Sequence, residues 1–113
     1  MCWSPDSRQI CFKGANATGQ EELVLVDAEG AERGIRVRYT TTNLFPKFAW
    51  HPYESRLVFC MPCRERRVVQ MYELDPATDA PPVLVAGQNS ISHNADPCWT
   101  PDGKHLIFVS HMP

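Results

Sequence analysis

One short pattern occurs three times in this chain, and it constrains the fold more than any other feature. The copies are Trp3-Ser4-Pro5-Asp6-Ser7-Arg8-Gln9-Ile10-Cys11-Phe12, Trp50-His51-Pro52-Tyr53-Glu54-Ser55-Arg56-Leu57-Val58-Phe59 and Trp99-Thr100-Pro101-Asp102-Gly103-Lys104-His105-Leu106-Ile107-Phe108. In each, Pro follows Trp by two positions, an aliphatic residue by seven and Phe by nine. The tryptophans stand 47 and 49 residues apart, a spacing that marks a repeat protein built from one supersecondary unit.

The chemistry of the pattern is that of a hairpin. Pro presets φ at the second turn position, Asp tolerates the third, and Gly103 takes the positive φ that lets the next strand fold back. The middle copy carries Tyr53-Glu54 where the others carry Asp-Ser or Asp-Gly, so a hairpin of equal length with a different turn is expected. Beyond the turn the residues alternate. Ile10, Phe12, Leu106 and Phe108 point one way, and Gln9, Cys11, His105 and Ile107 the other, the period of a strand. A third strand follows in Leu23-Val24-Leu25-Val26, stopped by Asp27-Ala28-Glu29-Gly30, and in Val69-Gln70-Met71-Tyr72-Glu73-Leu74, stopped by Asp75-Pro76. A fourth is read in Gly34-Ile35-Arg36-Val37-Arg38-Tyr39 and in Pro82-Val83-Leu84-Val85-Ala86. Residues 45–50 and 96–99 then supply the first strand of the next unit.

Four short antiparallel strands per period of just under 50 residues define a propeller blade. The expected fold is all-β: an incomplete β-propeller of about two and a half blades spanning residues 1–113. The first blade is assigned to 1–44, the second to 45–92 and the first hairpin of a third to 93–113. Trp3, Trp50 and Trp99 are expected near the inner part of each blade. Ile10, Leu57, Leu106, Phe12, Phe59 and Phe108 are expected to form the inter-blade core. The structural repeat positions are thus Trp3, Pro5, Asp6, Trp50, Pro52, Trp99, Pro101, Asp102 and Gly103. Closed propellers have about 4–8 blades, so 113 residues do not close a ring. The remaining blades are expected from the same, longer chain or from self-association, because a single blade buries its apolar face only against a neighbour.

The string Pro97-Cys98-Trp99-Thr100-Pro101-Asp102-Gly103-Lys104-His105-Leu106-Ile107-Phe108-Val109-Ser110, with Leu25-Val26-Asp27-Ala28-Glu29-Gly30 as the later part of a blade, resembles the TolB-like (WD-like) β-propeller repeats. The resemblance covers essentially the whole chain. It implies a bacterial, non-enzymatic scaffold that binds a protein or peptide on a loop face. The same repeat occurs in propellers that accompany hydrolases of the prolyl-oligopeptidase type and in oligogalacturonide lyase, so an accessory propeller of a hydrolase or lyase is the alternative. The shared residues belong to turns and core and not to a site, so they do not choose between the two. A periplasmic location follows if the resemblance extends to targeting. Five cysteines and no visible signal peptide, taken at face value, point to the cytoplasm.

Composition excludes some partners. Eleven basic against 13 acidic side chains give a net charge of −2, with no electrostatic reason to expect nucleic acid. The apolar runs are short, so no membrane insertion is expected. There is no nucleophile elbow, phosphate-binding glycine loop or His-Glu-x-x-His, and no cofactor is implied.

The residues that could carry chemistry are few. Cys2 and Cys98 precede Trp in different units and read as small buried thiols. Cys60-Met61-Pro62-Cys63 has the spacing of a redox pair, but it ends a strand instead of opening a helix. No second pair completes a metal site, so a turn with two thiols is the favoured reading. His51 replaces the Ser or Thr after Trp, at the rim of the hairpin, and His93-Asn94-Ala95-Asp96 reads as the loop into an innermost strand. His51, His93, Asn94 and Asp96 are therefore the candidate binding face, against a role as solvated loop residues or Asx turns. Arg64, Arg66 and Arg67 form a short basic run interrupted by Glu65, and Arg33, Arg36 and Arg38 another along an outer strand; both read as solvated faces, with an anionic partner site as the alternative. The recurrent Asp6, Asp27, Asp75 and Asp102 read as turn residues accepting backbone hydrogen bonds. Asn16-Ala17-Thr18 is a glycosylation sequon that matters only in a secreted eukaryotic protein.

Overall fold

A computed structural model describes residues 2–27, 34–45 and 47–112. Their ten strands form three antiparallel sheets. The first is β1 (Cys2–Trp3), β2 (Gln9–Ala15), β3 (Glu21–Asp27) and β4 (Arg36–Thr41), in that order. The second repeats it with β5 (Ala49–Trp50), β6 (Leu57–Cys63), β7 (Val68–Leu74) and β8 (Val83–Leu84). The third is the hairpin β9 (His93–Trp99) and β10 (Leu106–His111). This is an incomplete propeller of two four-stranded blades and a hairpin. The expected turn at Ala28-Glu29-Gly30 and the residue Arg33 lie outside the described residues.

The hairpin turns follow from their sequences. Ser4 Oγ donates to Asp6 Oδ1 at 2.6 Å and Arg8 N–H donates to the same oxygen at 3.0 Å. Thr100, Asp102 and Lys104 reproduce this at 2.6 and 3.0 Å. These bonds to the ionised form hold both carboxyls below the usual Asp range. Ser7 and Gly103, each four residues after Trp, take the left-handed conformation with φ of 61° and 72°. In the middle copy the His51 ring does the capping: Nδ1 accepts from Tyr53 N–H at 3.1 Å and Glu54 N–H at 2.9 Å, and Glu54 is not left-handed.

The second blade is buried on both broad faces, which the two-sided alternation of the sequence conceals. Leu57, Phe59 and Met61 of β6 pack with Cys11, Leu23 and Leu25 of the first blade. Val58 and Cys60, pointing the opposite way, pack with Met71 against Trp99, Leu106 and Phe108 of the hairpin. Leu57 and Phe59 therefore lie in the core between the first two blades as expected, and Leu106 and Phe108 pack against the second cluster, on the other face of β6. Ile10 and Phe12 do not. They occupy the register positions of Leu57 and Phe59, but on the side of the first blade away from the second, and are half-buried. Cys11, between them, is the fully buried member.

The tryptophans stitch the blades. Trp50 Nε1 donates to the carbonyl of Cys2 at 3.2 Å, and Trp99 Nε1 to that of Ala49 at 3.3 Å. In both cases the acceptor is the residue before the Trp of the preceding unit. Trp50 packs against the first core and Trp99 against the second, whereas Trp3, expected inside, is 51% exposed. Its equivalent surface has no preceding blade among the described residues.

Two arginines correct the reading of β4 as a solvated edge. Arg36 donates to the carbonyl of Pro76 at 2.7 Å, and Arg38 to those of Asp75 and Ala80, both at 3.0 Å. They point across to the second blade and satisfy carbonyls of its β7–β8 connection. Their physical use is as multidentate donors, which a Lys could not reproduce.

Candidate functional site

The first site to consider is the junction of turns at one rim, where His51 sits. The side chain is 3% exposed, so it is not the solvated rim residue that its turn position implies. Because Nδ1 accepts two backbone N–H bonds, the proton of a neutral ring is assigned to Nε2, which lies 2.8 Å from the carbonyl of Gly103 in the third hairpin. The ring also meets Trp99 edge-on at 4.6 Å, while the Arg56 guanidinium lies 4.7 Å over the same indole. This contact requires glycine at 103. A Cβ there would stand 2.6 Å from His51 Cε1, and the φ of 72° is itself unfavourable for other residues. Gly103→Ala is therefore expected to destabilise by more than the roughly 1 kcal/mol of the backbone effect alone. Adding His51→Ser should return the excess, which a double-mutant cycle of thermal melts measures.

The equivalent position between the first and second blades is open. Ser4 stands where His51 stands and Glu54 where Gly103 stands, so nothing bridges the two turns. The result is a cleft of about 430 Å³ whose walls include Ser4, Asp6, Gln9, Trp50, Tyr53 and Glu54. Tyr53 is 75% exposed and presents its ring to the mouth. Asp6 keeps its second carboxylate oxygen free of the turn bonds, which both use Oδ1. The cleft is thus acidic, with an aromatic wall and prolines on either side.

The other candidate residues lie elsewhere. His93, Asn94 and Asp96 are in strand β9, which starts at His93 instead of Asp96, and not in a loop. The extension is possible because a bulge, with Asp96 at φ 55°, absorbs the register shift opposite Ile107–Val109. Trp99, which His51 touches, is six residues from His93, a span of about 20 Å along a strand. His51 and the His93 group are therefore not brought together. His93 pairs with His111 across the sheet, ring centroids 5.2 Å apart, and its Nδ1 accepts from Val69 N–H at 3.0 Å. With that lone pair used, the neutral ring keeps no second one for a metal, which argues against a ligand role despite the adjacent His111. Asp96 is solvent-facing, 3.4 Å from Lys47 Nζ.

Asn94 is fully buried. Its amide donates to Gln88 Oε1 and the carbonyl of Asn89, and its oxygen accepts from Ser110 Oγ at 2.7 Å. It belongs to an amide network with Gln88 that no motif announces. Gln88 donates to the carbonyl of Met71 at 2.8 Å and accepts from Met71 N–H at 2.9 Å, so a side-chain amide continues the ladder where β8 stops after two residues. Gln70, also fully buried, donates to three carbonyls and accepts from Arg66. The one available signal was Gln70, an uncharged polar residue at an inward strand position.

Cys60 and Cys63 do not form a pair. Three residues apart on an extended strand, they point to opposite faces of β6. Burial, then the nearby Asp96 charge, pushes the Cys60 thiol up to about 12, so it is not a thiolate nucleophile near neutrality. Among the described residues, no group of three or more His, Cys, Asp or Glu side chains is arranged to hold a metal.

The sheet order and the repeated Trp stitch now stand beside the comparisons with known proteins. No protein-family model matches the chain, and no curated protein does. Among solved structures, TolB from Acinetobacter baumannii superposes on 96% of this chain with a TM-score of 0.71 at 19% identity. The fold is TolB-like. The chain spans 25% of the length of that TolB. At this identity the likeness establishes the scaffold, and the activity has to be argued from the cleft.

Proposed function

We propose that the chain is a non-enzymatic propeller scaffold that binds a protein or peptide segment carrying a basic side chain. The observation that carries this reading is the cleft between the first two blade turns. It is open only because Ser4 and Glu54 replace the His51–Gly103 bridge of the next junction. A Lys or Arg side chain entering it would meet the Asp6 oxygen that the two turn bonds leave over and the Glu54 carboxylate, whose Oε1 already faces His51 Nε2 at 3.3 Å and Arg56 at 3.9 Å, with its methylenes against Tyr53 and the flanking prolines. Propeller rims of this kind present loops from a rigid frame, which suits recognition without chemistry. Pairing of a partly desolvated cation with two carboxylates supplies orientation, and the aromatic wall supplies contact area.

The test is selection of displayed peptides on the immobilised chain, followed by titration of the recovered sequences. Enrichment of Lys- or Arg-containing peptides is expected, with affinity falling as salt is raised. Ser4→His should fill the cleft as His51 fills the next one and weaken binding by about tenfold or more; Tyr53→Ala, at an exposed position, should do the same without touching the fold. Enrichment of acidic or apolar peptides, or binding indifferent to both variants, would refute the assignment.

A further inference from the structure

We propose that two copies of this chain join head to tail, repeating between molecules the blade junction that the chain makes twice within itself. Both internal junctions are built the same way. An indole N–H reaches the carbonyl before the preceding Trp, as Trp50 does to Cys2 and Trp99 to Ala49. The aliphatic and Phe residues seven and nine positions after each Trp then pack on the preceding blade, as Leu57 with Phe59 and Leu106 with Phe108 do.

The two broad faces left over are the unmatched halves of that junction. On the first blade, Trp3 is 51% exposed, in register with Ile10, and Phe12 is in register with Val24 and Val37 through the antiparallel pairing. This face carries the donor indole and the two packing residues with no carbonyl to receive them. On the hairpin, Cys98 precedes Trp99 as Cys2 and Ala49 precede theirs, and it is exposed. Ile107, the counterpart of Cys11 and Val58, is 59% exposed, and Val109 is 53% exposed. That face carries the acceptor position and the apolar floor. An apolar face of this extent on both ends is the signature of an interface, and these two are complementary to each other and not to themselves. The contact is therefore heterologous: Trp3 of one copy donates to the Cys98 carbonyl of the next, and Ile10 and Phe12 settle on Ile107.

A heterologous contact has a test that nonspecific association fails. Trp3→Arg spoils only the donor face and Ile107→Arg only the floor, and both positions are more than half exposed, so the blades remain folded. In light scattering across a concentration series, the parent chain is expected to form multi-chain species. Either variant alone should weaken association by at least about tenfold, because an unpaired cation would be buried. An equimolar mixture of the two variants retains one intact donor face and one intact floor, and should give a species of two chains and nothing larger. Val37→Arg with Val109→Arg repeats the experiment at independent positions, and circular dichroism checks folding. The proposal is overturned if the parent is a monomer at high concentration, the result expected if these faces are covered by further blades and not by a second copy. It is equally overturned if either variant associates as the parent does, or if the mixture stays monomeric.

Discussion

Trp99→Ala is expected to release the β9–β10 hairpin from the second blade at a cost of about 3 kcal/mol, the low end of the range for a large aromatic because the indole is partly exposed. The ring is held from three sides: by the His51 edge at 4.6 Å, by the Arg56 guanidinium at 4.7 Å, and by its own N–H bond to Ala49. An isolated two-stranded hairpin is marginal in water, so the hairpin depends on this docking far more than the four-stranded blades depend on theirs. The expected signature is local. Amide protection should fall across His93–His111 before it falls in β6 and β7, and denaturant unfolding should broaden as the hairpin uncouples. Trp99→Phe keeps an aromatic ring but loses the N–H and part of the indole surface, so it should cost about 1–2 kcal/mol. Unchanged exchange in β9 and β10 of the Ala variant would show that the hairpin is held by Leu106 and Phe108 alone.

The parts of this architecture that are local in sequence were legible, because turn chemistry and strand period act over a few residues. Trp3-Ser4-Pro5-Asp6 and Trp99-Thr100-Pro101-Asp102 specify hairpins whose Asp side chains accept the bonds that the turn leaves open. What was not legible depends on what each element faces. Alternation tells which residues share a face but not that both faces of a blade are covered, so Cys11 and Val58 looked like the outward set and are fully buried. Arg36 and Arg38 looked solvated because their acceptors, the carbonyls of residues 75, 76 and 80, lie about 40 positions away. His51 stood out because it replaces the Ser or Thr of the other copies. Its consequence, a bridge to Gly103 that closes one cleft and by its absence leaves the neighbouring one open, needs both turns in view. His93, Asn94 and Asp96 read as the loop leading into a strand over residues 96–99, and the bulge at Asp96 is the device that lets β9 begin at His93 instead.

The second large effect is expected at a polar residue. Gln70 is fully buried between β7 and the segment leading into β9, and its amide donates to the carbonyls of Val69 and Asn89 at 3.2 Å and of Ser92 at 2.8 Å. Gln70→Leu fills nearly the same volume, so no cavity forms and the cost comes from the bonds. The Ser92 carbonyl sits where water does not readily reach, and Arg66 loses its acceptor at 2.8 Å. A stranded buried polar group costs roughly 1–3 kcal/mol, and with partial rescue of the outer carbonyls the total should be about 3 kcal/mol. Gln70→Glu separates the two halves of the interaction. It keeps an acceptor for Arg66 but turns a carboxylate toward carbonyl oxygens, so it should be at least as unstable as the Leu variant at neutral pH. The loop at residues 88–92 should show the loss first, through faster amide exchange at Ser92 and Asn94, since Gln70 and Asn94 both anchor the carbonyl of Asn89. A Gln70→Leu chain as stable as the parent would mean that the blade junction is carried by its apolar cluster, with the amides serving only to fix the path of the chain into β9.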